Sequence, residues 1–217
     1  MIKVSAFRSV PSFARGLVRD LRVRWALEEA GLPYETRLLS PGDQGSKAYR
    51  ALQPFGQVPA YEEDGLALFE SGAIVLYIAE KSEALMPRDE KGRLRTTTWM
   101  FAALNSIEPH IVNLTAIDLF FAKEDWAKQR RPGALQQAQT RLNALADWLN
   151  GRDYLEDRFT AADLLMTTVL RIPRHCDLIA QIPPLENYRL RCEARPAFER
   201  ALDAQMADFK EPASLAG

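Results

Sequence analysis

Two short stretches of the chain, Gln57-Val58-Pro59 and Glu70-Ser71, contain residue types suited to binding a peptide. The first lies in a run that otherwise reads as a short buried strand, where proline is out of place because it cannot donate to a neighbouring strand. A cis bond between Val58 and Pro59 would turn the chain sharply and leave the N–H and carbonyl of Val58 facing outward. Such an edge can pair with the main chain of an extended peptide.

Glu70 and Ser71 directly precede a predicted helix. Ser71 is predicted as the N-cap, where main-chain N–H groups and the helix dipole attract an anion. The carboxylate of Glu70 can pair with an ammonium group. Together with the free edge at Val58, these groups would suit a small zwitterionic peptide, although an ordinary turn and an ordinary cap explain each piece taken separately.

A small α/β domain is predicted to position these residues. Alternation of apolar and polar residues indicates strands, and apolar residues at helical spacing indicate helices. The predicted elements are a strand over 2–6, a helix over 15–30 that ends at Gly31, a strand over 34–39, a short helix over 47–52, hairpin strands over 58–61 and 66–69, and a helix over 71–81.

Strand patterns disappear after residue 82, and the rest of the chain has helical spacing. Helices are predicted over 93–122 with a bend at Pro109, and over 132–149, 161–172, 185–194 and 196–208. Thr160 and Asp163 have the spacing of a capping box. We therefore predict a domain over 1–82, a linker over 83–92 and an all-helical domain over 93–217.

The composition favours neither nucleic acid nor a membrane as a partner. The 217 residues carry a formal net charge of -1, and the sequence pI is near 6.2. No apolar run reaches the roughly 18 residues of a membrane span, and the first residues do not form a signal-peptide pattern. Cys176 and Cys192 lack zinc-binding spacing and fit a reducing compartment. We expect a cytoplasmic protein without a metal.

Several motifs together resemble the cytosolic glutathione transferases of the bacterial type. They are RVRWALEEAGLPYE (22–35), ALQPFGQVPAY (51–61), LFESGAIVLYIAEK (68–81), FTAADLL (159–165) and ARPAFERAL (194–202). The resemblance covers nearly the whole chain. It implies an α/β thioredoxin-like N-terminal domain that binds glutathione, followed by an all-α C-terminal domain that contributes a pocket for an electrophile.

The resemblance also implies a role for each residue of the two opening stretches. Val58 would pair with the cysteinyl main chain of glutathione, with Pro59 in cis. Glu70 and Ser71 would hold the γ-glutamyl end, and Gln57 could reach the glycyl side or the main chain. Lys47 is a candidate for the glycine carboxylate, with a plain surface lysine as the alternative.

The group that activates the glutathione thiol is not evident. A free thiol has a pKa of about 8.5, so the enzyme must stabilise the thiolate with a hydrogen-bond donor or a positive charge. Relatives place Ser, Tyr, Cys or Asn near the start of the first helix, where this chain reads GLVR over 16–19. The candidates are Ser12, Arg19, Arg15, Ser9 and the main-chain N–H groups of the helix start.

The electrophile pocket implied by the resemblance would lie between the domains and favour hydrophobic compounds. Its candidate residues are Trp99, Asn105, Glu108 and His110, for which helix packing is the alternative. Neither cysteine lies in the first domain, so a mixed disulfide between glutathione and a protein cysteine is not expected.

Homodimers are common in the family, and Phe55 is a candidate plug in a neighbouring subunit, with packing inside its own subunit as the alternative. The function implied is conjugation of glutathione to hydrophobic electrophiles, in detoxification. Two alternatives remain open. One is a glutathione-dependent disulfide or peroxide reductase, and the other is a non-catalytic module for binding or assembly.

Overall fold

A computed structural model describes residues 1–209 of the chain, in two compact units. The first unit contains residues 1–85 and 195–209, and the second contains residues 86–194. The strands are β1 (Ile2–Phe7), β2 (Tyr34–Leu39), β3 (Ala60–Glu63) and β4 (Leu66–Phe69). The helices are α1 (Asp20–Ala30), α2 (Lys47–Arg50), α3 (Ser71–Glu80), α4 (Glu90–Phe101), α5 (Glu108–Phe120), α6 (Asp125–Leu149), α7 (Ala161–Leu170), α8 (Pro183–Glu193) and α9 (Pro196–Asp208).

The four strands form one mixed sheet in the order β2-β1-β3-β4. β1 is parallel to β2 and antiparallel to β3, and β3 is antiparallel to β4. The parallel pair requires a crossover, which α1 supplies. This β-α-β unit followed by a hairpin and α3 confirms the predicted thioredoxin-like domain, and the helices of the second unit confirm the predicted helical region.

The predicted bounds of α1 are correct at its end but not at its start. Gly31 ends the helix with φ 66°, a conformation that glycine adopts without a steric penalty. The helix was expected from Arg15, but it begins at Asp20. Residues 12–14 instead form a 3₁₀ turn, and Gly16 follows with φ 76°, which is incompatible with a continuous helix.

The first strand of the hairpin also begins later than predicted, at Ala60 instead of Val58. Pro59 has no N–H, so the ladder of hydrogen bonds cannot extend through it. In the register of the hairpin, Ala60 lies directly opposite Phe69. Residues 58–59 therefore lead into β3 at the same end of the hairpin at which residues 70–71 leave β4.

The second unit confirms one local prediction and changes another. The predicted helix over 93–122 is divided by a π-helical segment, Ala102–Ile107, which ends two residues before Pro109 in the first turn of α5. Proline crowds the preceding turn and removes a donor, which explains the change in helix geometry at this point. The capping box of α7 is formed, with the Thr160 N–H donating to the Asp163 carboxylate over 2.9 Å.

The compact units differ in extent from the predicted domains, because α9 packs against α1 and not with the other C-terminal helices. Phe198 meets the Trp25 ring edge-on at 4.8 Å between ring centroids. Arg195 donates two hydrogen bonds to Glu29, at 2.6 and 2.8 Å. No helix in the described part of the chain combines the length and apolar character needed to cross a bilayer.

Candidate functional site

The Val58–Pro59 turn has the form that the sequence predicted. The peptide bond is cis, which confirms the geometry implied by the resemblance. The Val58 side chain is 7% exposed and packs in a small cluster with Leu39, Tyr49 and Ala60. Over residues 1–209, the main-chain N–H and carbonyl of Val58 make no hydrogen bond. A peptide ligand would therefore displace no internal hydrogen bond at Val58.

The hairpin brings the two predicted stretches together. Ala60 and Phe69 are paired across β3 and β4, and neighbouring strands lie about 4.8 Å apart. The residues just outside this pair, Pro59 and Glu70, therefore lie side by side at one end of the hairpin. A single extended ligand can reach the main chain at Val58 and the start of α3 from this position.

Glu70 is exposed and has an unusual backbone conformation, with φ 68° and ψ 112°. A positive φ in a residue other than glycine costs roughly 1–3 kcal/mol and is concentrated at functional sites. The Glu70 carbonyl accepts from the Ile74 N–H at 3.0 Å, so Glu70 is the N-cap of α3. The prediction that Ser71 is the N-cap was therefore wrong by one residue, because Ser71 already has helical geometry.

Ser71 is the first residue of α3 and is 6% exposed. The N–H groups of the first helical turn have no intrahelical acceptor, so they and the helix dipole favour an anion here. The guanidinium of Arg22, on α1, donates to the Ser71 hydroxyl over 3.2 Å. Arg22 is 4% exposed. The sequence pattern gave no sign of this contact.

Gln57 and Lys47 are both exposed, and Tyr49, which the sequence did not indicate as part of the site, links the segments that carry them. The Gln57 carbonyl accepts from the Tyr49 hydroxyl at 2.7 Å. Tyr49 lies two residues after Lys47 on α2, and its hydroxyl is also hydrogen-bonded to Ser5 on β1 at 2.7 Å. These contacts join α2 to the Val58–Pro59 turn. The spacing of Ser5 and Tyr49 in the chain gave no signal for them.

The candidates for thiolate stabilisation lie in the segment before α1. Ser12 is exposed and begins the 3₁₀ turn, while Ser9 and Arg15 are half-buried. Arg19 is exposed at the N-cap of α1. Each of the four roles stays a prediction.

Asp20 lies at the start of α1, where the main-chain alternative places the thiolate. This carboxylate is 1% exposed and accepts from Arg24 and from Gln205, each at 2.8 Å. Burial raises the pKa of Asp20, and its attraction to Arg24 opposes that rise. Because Arg24 compensates the charge of this carboxylate, the role of the main-chain N–H groups stays a prediction.

The electrophile candidates lie along α4, the π-helical segment and α5 of the second unit. Trp99 donates to Glu156 over 2.8 Å and packs against the Trp148 ring, at 5.1 Å between ring centroids. Asn105 is exposed in the π-helical segment, where departures from α-helical geometry often accompany function. Glu108 is buried and His110 is half-buried. Trp99 is thus engaged in packing, and the substrate roles of all four stay predictions.

Both cysteines lie in the second unit, Cys176 half-buried and Cys192 buried. The first unit, as far as residue 209, therefore carries no thiol of its own. Among the described residues, no group of three or more His, Cys, Asp or Glu side chains is arranged to hold a metal ion.

Comparison with known proteins shows the family to which the chain is similar. Residues 21–86 match the family model for the N-terminal domain of glutathione S-transferases. The chain is 37% identical over 210 residues to glutathione S-transferase APIC of Nicotiana tabacum, covering 84% of this chain and 92% of that protein. It is 28% identical over 203 residues to the disulfide-bond oxidoreductase YfcG of Escherichia coli (strain K12), covering 84% of this chain and 89% of that protein.

A solved structure is also similar over most of the chain. It is a glutathione transferase from Burkholderia graminis with two glutathione molecules bound per subunit, with a TM-score of 0.81 and 29% identity. The match covers 94% of this chain and 88% of that chain. Fold, site geometry and sequence similarity agree, and the chain belongs to the glutathione S-transferase family.

Proposed function

We propose that this chain binds glutathione at the end of the hairpin and adds the glutathione thiolate to hydrophobic electrophiles. The observation that carries the proposal is the pairing of Ala60 with Phe69, which sets the free main chain of Val58 beside the start of α3. A ligand that fits this site must offer one peptide main chain, one carboxylate and one ammonium group. Glutathione has all three in one extended molecule.

The γ-glutamyl end of glutathione is assigned to Glu70 and Ser71. Its carboxylate receives hydrogen bonds from the Ser71 hydroxyl and from N–H groups of the first turn of α3. The exposed carboxylate of Glu70 pairs with the ammonium group. The ammonium group thus meets an opposite charge, and the carboxylate meets the positive end of the α3 dipole.

The cysteinyl main chain is assigned to the N–H and carbonyl of Val58, beside Pro59. Two hydrogen bonds between main chains resemble the addition of a short strand to the hairpin. Gln57 and Lys47 are both exposed and are assigned to the glycyl end, where the lysine ammonium would pair with the glycine carboxylate.

The reaction itself is thiolate addition. The thiol proton leaves to solvent, the thiolate bonds to the electrophilic carbon, and the leaving group takes its electron pair with it. Ser12 as a donor or Arg19 as a cation would lower the pKa of the bound thiol. We assign contact with the apolar substrate to Asn105, Glu108, His110 and, through its ring, Trp99.

The test combines binding with product analysis. Calorimetry is expected to show glutathione binding, and mass spectrometry to show the S-aryl conjugate with chlorodinitrobenzene forming faster than without protein. The absence of glutathione binding would overturn the whole assignment. Binding without conjugation of any of several aryl, alkyl and epoxide electrophiles would overturn the transferase activity alone and favour a non-catalytic binding module.

A second candidate function is reduction of disulfides by glutathione. One observation favours it, the similarity to a disulfide-bond oxidoreductase at 28% identity. In this reaction two glutathione molecules reduce one disulfide and leave as glutathione disulfide. Because both cysteines lie in the helical unit, the variant with Cys176→Ser and Cys192→Ser is expected to keep this activity. Its loss would require a protein thiol.

We also propose that the chain forms a homodimer through the loop between α2 and β3, which contains Phe55. Phe55 is 64% exposed, and its ring meets the partly exposed Phe69 ring edge-on with 6.1 Å between ring centroids, so that two large apolar side chains lie together at the surface. Ultracentrifugation is expected to show a dimer that Phe55→Ser converts to monomer. A monomeric wild type at micromolar concentration would overturn this assignment.

A further inference from the structure

The hydroxyl groups of Ser5 and Tyr49 link the residues on either side of the Val58–Pro59 turn. The Ala60 N–H donates to the Ser5 hydroxyl oxygen over 2.7 Å, and the Tyr49 hydroxyl donates to the Gln57 carbonyl over 2.7 Å. The Ser5 and Tyr49 hydroxyls are themselves 2.7 Å apart. The residues on both sides of Val58-Pro59 are therefore joined by one continuous chain of hydrogen bonds.

The hydrogen bonds of this network can be donated in one direction only. A carbonyl oxygen only accepts, so the Tyr49 proton is committed to Gln57. An amide N–H only donates, so the Ser5 oxygen accepts from Ala60. The Ser5 proton must then go to the Tyr49 oxygen, and each hydroxyl donates once and accepts once. Successive hydrogen bonds in a buried chain polarise and strengthen one another.

The burial of Ser5 and Tyr49 keeps water from competing for these hydrogen bonds. Ser5 is 2% and Tyr49 is 4% exposed. Burial raises the pKa of Tyr49, with a smaller opposing effect of the Ser5 hydrogen bond, so the phenol keeps the proton that it donates. The Tyr49 ring also packs beside the Val58 side chain in the same apolar cluster. Apolar packing thus fixes the Val58 side chain, while hydrogen bonds fix the main chain of Gln57 and Ala60.

Three separate elements meet at this network. Ser5 lies on β1, Tyr49 lies on α2, and the turn leads into β3. Tyr49 is fixed in turn by its own N–H, which donates to the Ser46 hydroxyl at 3.2 Å. The spacing between the Gln57 carbonyl and the Ala60 N–H is therefore set by the core of the unit and not by the turn alone.

We propose that Ser5 and Tyr49 are positioning residues that prepare the main chain of Val58 for the cysteinyl part of glutathione. The proposal rests on the assignment of that turn to glutathione under Proposed function. The N–H and the carbonyl of Val58 can both bond to one extended ligand only if the distance between them is fixed. A turn that is already ordered loses less entropy on binding than a loose one.

The test is Tyr49→Phe, which removes one hydroxyl and keeps the ring in the apolar cluster. The matched control is Tyr61→Phe on β3, since Tyr61 is also fully buried and donates to Glu63 over 2.9 Å. Glutathione affinity is measured by calorimetry, and thermal unfolding is recorded for both variants. In the same titration, NMR follows the amide signals of Val58 and Ser71.

We expect Tyr49→Phe to weaken glutathione binding about five- to tenfold, the effect of one lost hydrogen bond. Tyr61→Phe is expected to stay within about twofold of the wild type, although its melting temperature falls to a similar extent. The shift of the Val58 amide on saturation should shrink in Tyr49→Phe, while that of Ser71 persists. This difference between two amides separates positioning from general destabilisation.

Two results would overturn the role of Tyr49. One is unchanged affinity in Tyr49→Phe, and the other is an equal loss of affinity in Tyr61→Phe. If the wild type does not bind glutathione, this inference and the proposed function are overturned together. Wild-type binding with an unaffected Tyr49→Phe variant overturns this inference alone.

Discussion

Arg22 donates from a buried position on α1 to the hydroxyl of Ser71 at the start of α3, over 3.2 Å. Because the serine oxygen accepts this hydrogen bond, its own proton remains available to donate to a ligand carboxylate. The arginine thus orients the hydroxyl as a donor and adds positive charge behind the helix start. Both effects favour the γ-glutamyl carboxylate assigned to Ser71.

Replacing Arg22 with lysine tests this relationship. Lysine keeps the charge but loses the planar, multi-donor geometry, so we expect Arg22→Lys to weaken glutathione binding about fivefold. Ser71→Ala is expected to cost more, and the double variant no more than Ser71→Ala alone, because both changes remove the same contact. Losses that simply add in a calorimetric double-mutant cycle would show that the two residues act independently.

Replacing Glu70 tests the assigned ammonium partner and the strained backbone together. Glu70→Ala and Glu70→Gly both remove the carboxylate, so both are expected to weaken glutathione binding by about tenfold or more. Only glycine also relieves the positive φ, so Glu70→Gly should unfold with a free energy roughly 1 kcal/mol higher than Glu70→Ala. Glu35→Ala, an exposed charge on β2, is the control for affinity. Unchanged affinity in both Glu70 variants would remove this residue from the site.

The thiolate assignment is tested by titrating bound glutathione. If Ser12 donates to the sulfur, Ser12→Ala should raise the apparent pKa of the bound thiol by about one unit, the equivalent of one hydrogen bond. If the Arg19 guanidinium stabilises the thiolate instead, Arg19→Met should raise the apparent pKa of the bound thiol. Thiolate absorbance against pH, at saturating glutathione, separates the two. A curve unchanged in both variants would exclude both side chains.

Glu63 gives the first unit a dependence on pH. Its carboxylate accepts from Lys81 at 2.5 Å, from Tyr61 at 2.9 Å and from Tyr77 at 3.0 Å. The hydrogen bond from Lys81 is the chief cause that lowers the pKa of Glu63 below its usual 4.5. A carboxyl with a lowered folded pKa adds stability above its unfolded pKa and loses it as the pH falls through the folded one.

We therefore expect Glu63→Gln to be less stable than the wild type at pH 7 and to approach it below pH 4.5. Urea unfolding at several pH values measures the difference. Glu35→Gln removes a charge from β2 without touching this cluster and serves as the reference. A difference between wild type and Glu63→Gln that stays constant from pH 7 to pH 3 would contradict the assignment.

Some elements could be predicted because their signals are local. Gly31 ends α1 since the left-handed conformation that it adopts is open to glycine. Thr160 and Asp163 form their capping box within four residues of each other. Other features depend on tertiary context. Asp20 and Arg24 are buried and paired because α9 covers them, with Arg24 donating to Asp208 over 2.6 Å.

The sequence by itself was enough to propose the ligand site, since the roles assigned to Val58, Pro59, Glu70 and Ser71 depend on their own main chain, charge and place beside a turn or helix start. The tertiary structure decided how these groups are held. Ser5 and Tyr49 are 44 residues apart in the chain, and Arg22 and Ser71 are 49 apart. Such pairs leave no periodic pattern, because their contact depends on how the sheet, α1, α2 and α3 pack together.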